Sequence, residues 1–398
     1  MEVAEFFLKL LVILVSAKLF AEVFAYLRLP SVLGEVIAGI LIGPSLLGII
    51  EPDATLYLLA EIGILLLLFE VGLETDVGQL IRVGTQSLLV ALTGVFVPAL
   101  LGFWICNNVL GLSFLVSLFV GGTLVATSIG ITVRVLVDLN KQHTQGAKIV
   151  LGAAVLDDIV GVLILAILYE FATTGEVSIV RTVKMFAFIT VFLLVAPVIA
   201  KLLVPLISNL SSKSRTKGMV PTLIISLILV LAVIAHEVGA PAILGSFTAG
   251  IALARRFSLR LGSKREHYSH DLTEKIEENM KPIIDLFVPI FFVVVGASIN
   301  LRAIDFTSPV FWKIAVSLTA VAIIGKLVSG IWVRGSFREK LSAGIAMVPR
   351  GEVGLIFAEI GKKSAIFDDA MYAVVVFVVA LTTLFAPVAL RLIMRGEK

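Results

Sequence analysis

Two carboxylates, Asp157 and Asp158, stand side by side in a run that is otherwise apolar from Ile149 to Leu168. In a membrane helix, both acids would lie near the centre of the hydrocarbon. Ionisable groups are costly there, and by default they mark an ion or proton pathway. A soluble-core alternative would need each acid paired and hydrogen-bonded. A carboxylate so placed can hold a proton or a small cation, but not both at once. That competition yields exchange if the site opens alternately to each side. Adjacent helical positions point about 100° apart, so one acid can line an ion cavity while the other meets a neighbouring span. Lys326 is a candidate partner for Asp157, which would leave Asp158 for the ion; the residues alone leave that assignment open.

The elements that must position these groups follow from composition. The chain has 398 residues, a mean hydropathy of +1.08 and 15% charged residues, against about 25% in average soluble proteins. A large soluble domain is excluded, and the chain reads as an all-α polytopic membrane protein in contact with lipid. Nothing points to an enzyme, a cofactor or a nucleic-acid partner. The only cysteine, Cys106, lies in an apolar segment, so no disulfide framework or thiol chemistry is indicated. The first apolar run contains Lys9 and Lys18 and precedes no small-residue cleavage site. It reads as a first span rather than a signal peptide.

With about 20 apolar residues needed per crossing, the chain predicts about thirteen spans. They fall near 4–27, 30–50, 54–73, 84–108, 112–134, 146–172, 178–206, 218–237, 240–256, 280–299, 308–333, 340–361 and 368–394. Loops after odd-numbered spans hold most of the Lys and Arg, including Lys141, Lys148, Lys213, Arg215, Lys217, Arg334 and Lys340. By the positive-inside bias the N-terminus lies outside and the C-terminus in the cytoplasm. The longest soluble piece, about 257–279, carries His267 and His270 and reads as a solvated linker rather than a metal site.

Span 2 reads Leu33-Gly34-Glu35-Val36-Ile37-Ala38-Gly39-Ile40, and span 9 reads Leu244-Gly245-Ser246-Phe247-Thr248-Ala249-Gly250-Ile251. Seven spans separate them, so they cross in opposite directions, and the same offset pairs span 5 with 12. Inverted repeats of this kind are a transporter signature, although small residues recur at any membrane helix interface. Span 5 carries Thr123 to Thr132, with Thr127, Ser128 and Gly130; span 12 carries Met347-Val348-Pro349-Arg350-Gly351-Glu352. Corresponding breaks in two halves point to a binding site. Unwound backbone is tolerated at membrane depth only beside protein or a wet cavity.

Depth sharpens the picture. At a 1.5 Å rise, Asp158 lies roughly 15 Å from Lys148, Lys326 about 12 Å from Arg334, and Arg350 about 15 Å from Lys340. Two acids, a lysine and an Arg/Glu pair thus gather near the midplane. Hard cations such as sodium favour carboxylate and carbonyl oxygens, to which Thr127 and Ser128 could add ligands from a broken span 5. Arg350 and Glu352 stand two apart and would not face each other on a regular helix. They are expected to satisfy freed backbone groups and helix-end dipoles at the crossing. Glu35, Glu61, Glu70 and Glu74 lie in or at the ends of spans 2 and 3, and a helix-contact role is expected for Glu70.

Gly34-Glu35-x-x-Ala38-Gly39-x-x-x-Gly43-Pro44, Val71-Gly72-Leu73-Glu74, Ala126-Thr127-Ser128-x-Gly130-Ile131-Thr132, Asp157-Asp158 and Arg350-Gly351-Glu352-x-Gly354 resemble the monovalent cation:proton antiporter-2 family, its NapA-type sodium/proton antiporters above all. The likeness covers essentially the whole chain in order. It implies a homodimer in a cell membrane, serving pH homeostasis by an elevator-like movement of a core domain, about 84–172 and 308–398. A dimerisation domain would occupy about 1–73 and 178–299. The resemblance makes Asp158 the principal ion and proton carboxylate, Asp157 its partner acid (together a site for Na+ or Li+), and Lys326 the core lysine. Spans 5 and 12 would be the crossing broken helices. Paired acids with the lysine resemble the electrogenic branch. No cytoplasmic nucleotide-binding domain is expected after the membrane spans, unlike Kef-type potassium systems.

Other readings compete. Potassium/proton exchange on the same scaffold is open, because selectivity depends on cavity size and oxygen placement. Sodium-coupled symport of an organic anion needs no proton-competent pair and is disfavoured. An intramembrane aspartyl protease would place its two acids on separate helices to share a water.

Overall fold

The computed structural model describes residues 3–27, 29–74, 77–174, 179–213, 218–254, 266–350 and 352–394. The side chains of several stretches within these ranges, those of Glu74, His267, His270 and Glu352 among them, lie outside the description. The described residues form fifteen α-helices. They are α1 Val3–Tyr26, α2 Ser31–Ile42, α3 Ala54–Glu74, α4 Val77–Trp104, α5 Phe114–Thr123, α6 Ile129–Asp138, α7 Gln145–Thr174 and α8 Ile179–Lys213. There follow α9 Met219–Glu237, α10 Ala242–Leu253, α11 Glu266–Ala297, α12 Pro309–Ser329, α13 Phe337–Ala346, α14 Glu352–Lys363 and α15 Asp369–Met394. Among the described residues, seven stretches are long and apolar enough to cross a membrane, and α2, α5 and α10 are shorter apolar helices.

Two expectations differ most. The stretch expected to be helical over 30–50 ends at Ile42, where Gly43 adopts an extended conformation. Pro44 follows, and a proline disfavours helical backbone in the residue before it. The expected linker over 257–279 is helical from Glu266 onward, where it forms the start of α11. Its Glu, Lys and Leu residues are good helix formers.

By packing, the chain divides into one compact unit of residues 1–56, 83–179 and 292–398 and another of 57–82 and 180–291. In the first unit, α2 meets α1 at Gly34, where a Cβ would strike the Phe20 carbonyl, and α11 at Gly39, against Val293 and Gly296. In the second, α10 meets α9 at Gly245, against the Leu231 carbonyl, and α3 at Gly250, against Phe69 and Gly72. Both α2 and α10 start after a proline, Pro30 and Pro241, with nearly equal dihedral angles. Without a side chain the backbones can touch, and such small-residue contacts hold membrane helices together where lipid supplies no hydrophobic drive.

The first unit also holds an apolar cluster of Phe119, Leu124, Phe311, Leu318, Phe357 and Val375 among others. It packs α5, α12, α14 and α15 around the two helix interruptions, 124–128 and 347–350.

Candidate functional site

The helical ladder stops at Leu124 and resumes at Ile129, and it stops again at Met347 and resumes at Glu352. Each interruption leaves carbonyls at the end of one half-helix and amides at the start of the next, and buried backbone groups need partners. The two breaks supply much of this to each other. The Ser128 amide donates to the Pro349 carbonyl at 2.8 Å. Thr127 Oγ1 donates to the Met347 carbonyl at 3.0 Å, and Thr132 Oγ1 to the Ala346 carbonyl at 2.6 Å. From α15, the Thr383 hydroxyl donates to the Arg350 carbonyl.

Two buried cations reach further carbonyls. Arg350 donates through Nη1 to the Ala126 carbonyl at 2.9 Å and through Nη2 to the Ala322 carbonyl of α12 at 3.4 Å. Lys326 donates to the Val125 carbonyl at 2.6 Å. Both positive charges therefore sit beside the C-terminal end of α5, the end whose dipole favours cations. Apolar walls from Thr123, Leu124, Leu318, Val375, Val378 and Val379 line a tight crevice along Arg350.

Lys326 also meets the acids. Its ammonium lies 3.3 Å from Asp157 Oδ1 and 3.2 Å from Oδ2, and neither side chain has any solvent exposure. Asp158, one position further on α7, retains 5% exposure. A cation reaching Asp157 must compete with the Lys326 ammonium for the same oxygens. Gly325 lets α12 approach α4 at Pro98, and Gly94 of α4 passes Lys326 with room for no more than ordinary contact. That approach encloses the lysine.

The structure thus brings Asp157, Lys326, Arg350, Thr127 and Ser128 to one crossing, with Asp158 beside them. The Glu352 side chain lies outside the described residues. The sequence points to Thr132 within span 5 without giving it a role, and it gives no sign of Thr383 or of the carbonyls of Val125, Ala126 and Ala322. Backbone carbonyls carry no residue-type signal, and a threonine in an apolar helix looks like a packing residue. Among the described residues, no three His, Cys, Asp or Glu side chains converge as a resident metal site would require.

Discontinuous helices meeting at buried charges define a secondary-transporter class of membrane protein. The chain belongs to the sodium/hydrogen exchanger family, whose transmembrane model matches residues 11–396. It is 36% identical to the high-affinity Na+/H+ antiporter NhaS3 of Synechocystis, over 98% of this chain and 90% of that one. It is 35% identical to the Na+/H+-K+ antiporter GerN of Bacillus cereus, covering 97% of this chain and 96% of the relative. The solved structure of the sodium proton antiporter MjNhaP1 from Methanocaldococcus jannaschii superposes with a TM-score of 0.70 at 18% identity, covering 98% of this chain and 99% of the other. That likeness shows the same fold.

Proposed function

We propose that this protein is a secondary active sodium/proton antiporter, able to carry lithium also, in which cation and protons compete for Asp158 and Asp157. The observation that carries the reading is the wholly buried Lys326–Asp157 pair, held beside Asp158 at the crossing of two broken helices. Asp158 is the main carboxylate for cation and proton. Asp157 shares the site and exchanges Lys326 for the arriving cation, and Thr127 and Ser128 add oxygens from the break. Arg350 and Glu352 stabilise the crossing. Two acids and a lysine in one site support electrogenic exchange, with more protons moved than cations.

The architecture that supports this is about thirteen spans in two inverted repeats. The equivalent glycine contacts of α2 and α10 favour such a repeat. The N-terminus lies outside and the C-terminus in the cytoplasm of a cell membrane. A core of about 84–172 and 308–398 moves against a dimerisation domain of about 1–73 and 178–299, in a homodimer. Potassium/proton exchange is the second reading, favoured by the likeness to GerN, whose name includes potassium.

The test is proton movement in proteoliposomes with an acid interior when sodium, lithium or potassium is added outside. Proton efflux driven by sodium or lithium, and lost in Asp158→Asn, is expected. A response to potassium alone would transfer the assignment to the second reading. No cation-coupled proton movement over a broad pH range would overturn exchange altogether.

A further inference from the structure

Away from the crossing, a second polar cluster joins the first turns of α2 to the last turns of α6. On α2, Ser31 and Glu35 lie about one turn apart; on α6, Arg134 and Asp138 do the same. Asp138 Oδ2 accepts hydrogen bonds from both the amide and the hydroxyl of Ser31, each at 2.7 Å. An anion is thereby seated at the N-terminal end of α2, where the helix dipole favours it. Arg134 Nε stands 3.5 Å from Asp138 Oδ1. Glu35 is 1% exposed, and its Oε2 has no hydrogen-bond partner. The charges within its electrostatic reach are Arg134, Asp138 and Lys18. A little before α2, the Leu27 carbonyl accepts from Arg391 of α15 at 3.4 Å.

An unfilled buried carboxylate is costly as mere packing. The Glu35 carboxylate offers Arg134 a second anion within electrostatic reach, to be taken if α2 shifts along α6, which is what an element with two arrangements needs. In this conformation α2, α6 and α15 pack within one compact unit; in the proposed exchanger α2 belongs to the scaffold and α6 and α15 to the moving core. Hydrogen bonds weaken beyond about 3.2 Å, so the Ser31–Asp138 contacts cannot persist while one body slides past the other. The C-terminal end of α6 leads into the Lys141–Lys148 loop, cytoplasmic by the charge bias.

We infer that Ser31, Glu35, Arg134 and Asp138 form a latch that holds the carrier shut toward the cytoplasm. They act as positioning residues that set how often the ion site faces outward. The inference rests on the exchange reading and on its division into scaffold and core. Breaking the latch lowers the population of the outward-facing form, and apparent affinity scales with the population of the competent form.

The test uses the full-length protein in proteoliposomes of defined orientation, comparing Ser31→Ala and Asp138→Asn with the unaltered chain. The apparent KM for sodium should rise at the outer face and fall at the cytoplasmic face, the two fold-changes multiplying to about fivefold, the low end of ordinary coupling between sites. Unchanged values, or shifts in the same direction on both faces, would overturn the latch. Amide hydrogen exchange over residues 29–36, measured without any transported cation, gives a second readout. Asp138→Asn should speed it while α12 stays protected; unaltered protection also overturns the latch. Should the unaltered protein move no cation, the exchange reading falls, and hydrogen exchange still decides whether the latch exists. If Asp138→Asn fails to fold, Ser31→Ala, which keeps the amide bond, carries both measurements.

Discussion

The Lys326 ammonium and the Asp157 carboxylate meet at 3.2 Å across 169 residues of sequence, with both side chains removed from solvent. Two charges in that state are stable only together, since removing one strands the other in a low-dielectric interior. Lys326→Met should therefore cost about 3–5 kcal/mol of stability. The double variant Asp157→Asn/Lys326→Met should recover most of the loss. Thermal unfolding of the four proteins in detergent closes the cycle; additive losses would show that the pair does not act as a unit.

Thr132 donates to the Ala346 carbonyl between the two broken helices. Thr132→Val keeps the shape and removes the donor, leaving a buried carbonyl short of a partner. A loss of about 1 kcal/mol is expected, the usual scale of a hydrogen bond in proteins. Thr382, whose hydroxyl bonds within its own helix to Val378 and Val379, provides the control. Thr382→Val should lower the melting temperature less than Thr132→Val does.

Gly39 faces the α11 backbone so closely that a Cβ would overlap the Val293 carbonyl, whereas a Cβ at Gly84 would meet open space. Gly39→Ala must push two helices apart and should cost about 1–3 kcal/mol. Gly84→Ala should be neutral or slightly stabilising, because alanine is the better helix former. Equal melting temperatures for the two variants would contradict this close approach of α2 to α11.

Asp53 caps α3 from outside the span. Its carboxylate accepts from the Leu56 amide and, on the other oxygen, from the Lys9 ammonium at 3.1 Å. These bonds hold its pKa below the ordinary carboxylate value, the Leu56 amide contributing most. A lowered folded-state pKa contributes stability above the unfolded value of about 4, lost as pH falls through the folded value. Asp53→Asn should then reduce stability slightly at neutral pH. The difference from the unaltered protein should shrink as pH falls below about 4, which melting curves at a series of pH values would check.

Much of the site was legible because membrane burial makes a few residues conspicuous. Asp157, Asp158, Lys326 and Arg350 are expensive in hydrocarbon, so their presence alone marked the centre. Periodicity served the helices less evenly. A continuous apolar run such as 30–50 does not reveal where the ladder ends, and Gly43-Pro44 ended it early. Glu35 looked like one more acid among four near the ends of spans. Only the fold sets it opposite Arg134 and Asp138, because that meeting depends on how α2 and α6 pack, which neither helix encodes alone.

Composition and residue cost by themselves determined that this chain lives in a membrane, that its helices are apolar, and that Asp157, Asp158, Lys326 and Arg350 are costly enough there to mark a site. Tertiary structure alone decided which charges touch. Asp157 rather than Asp158 meets Lys326, and the carbonyls of Val125, Ala126 and Ala322 take the two cations. The physical reason is that hydrocarbon penalises any unpaired charge according to its type and depth, which can be read along the chain. The choice of partner depends on ångström-scale distances between helices far apart in sequence, which arise only when they pack.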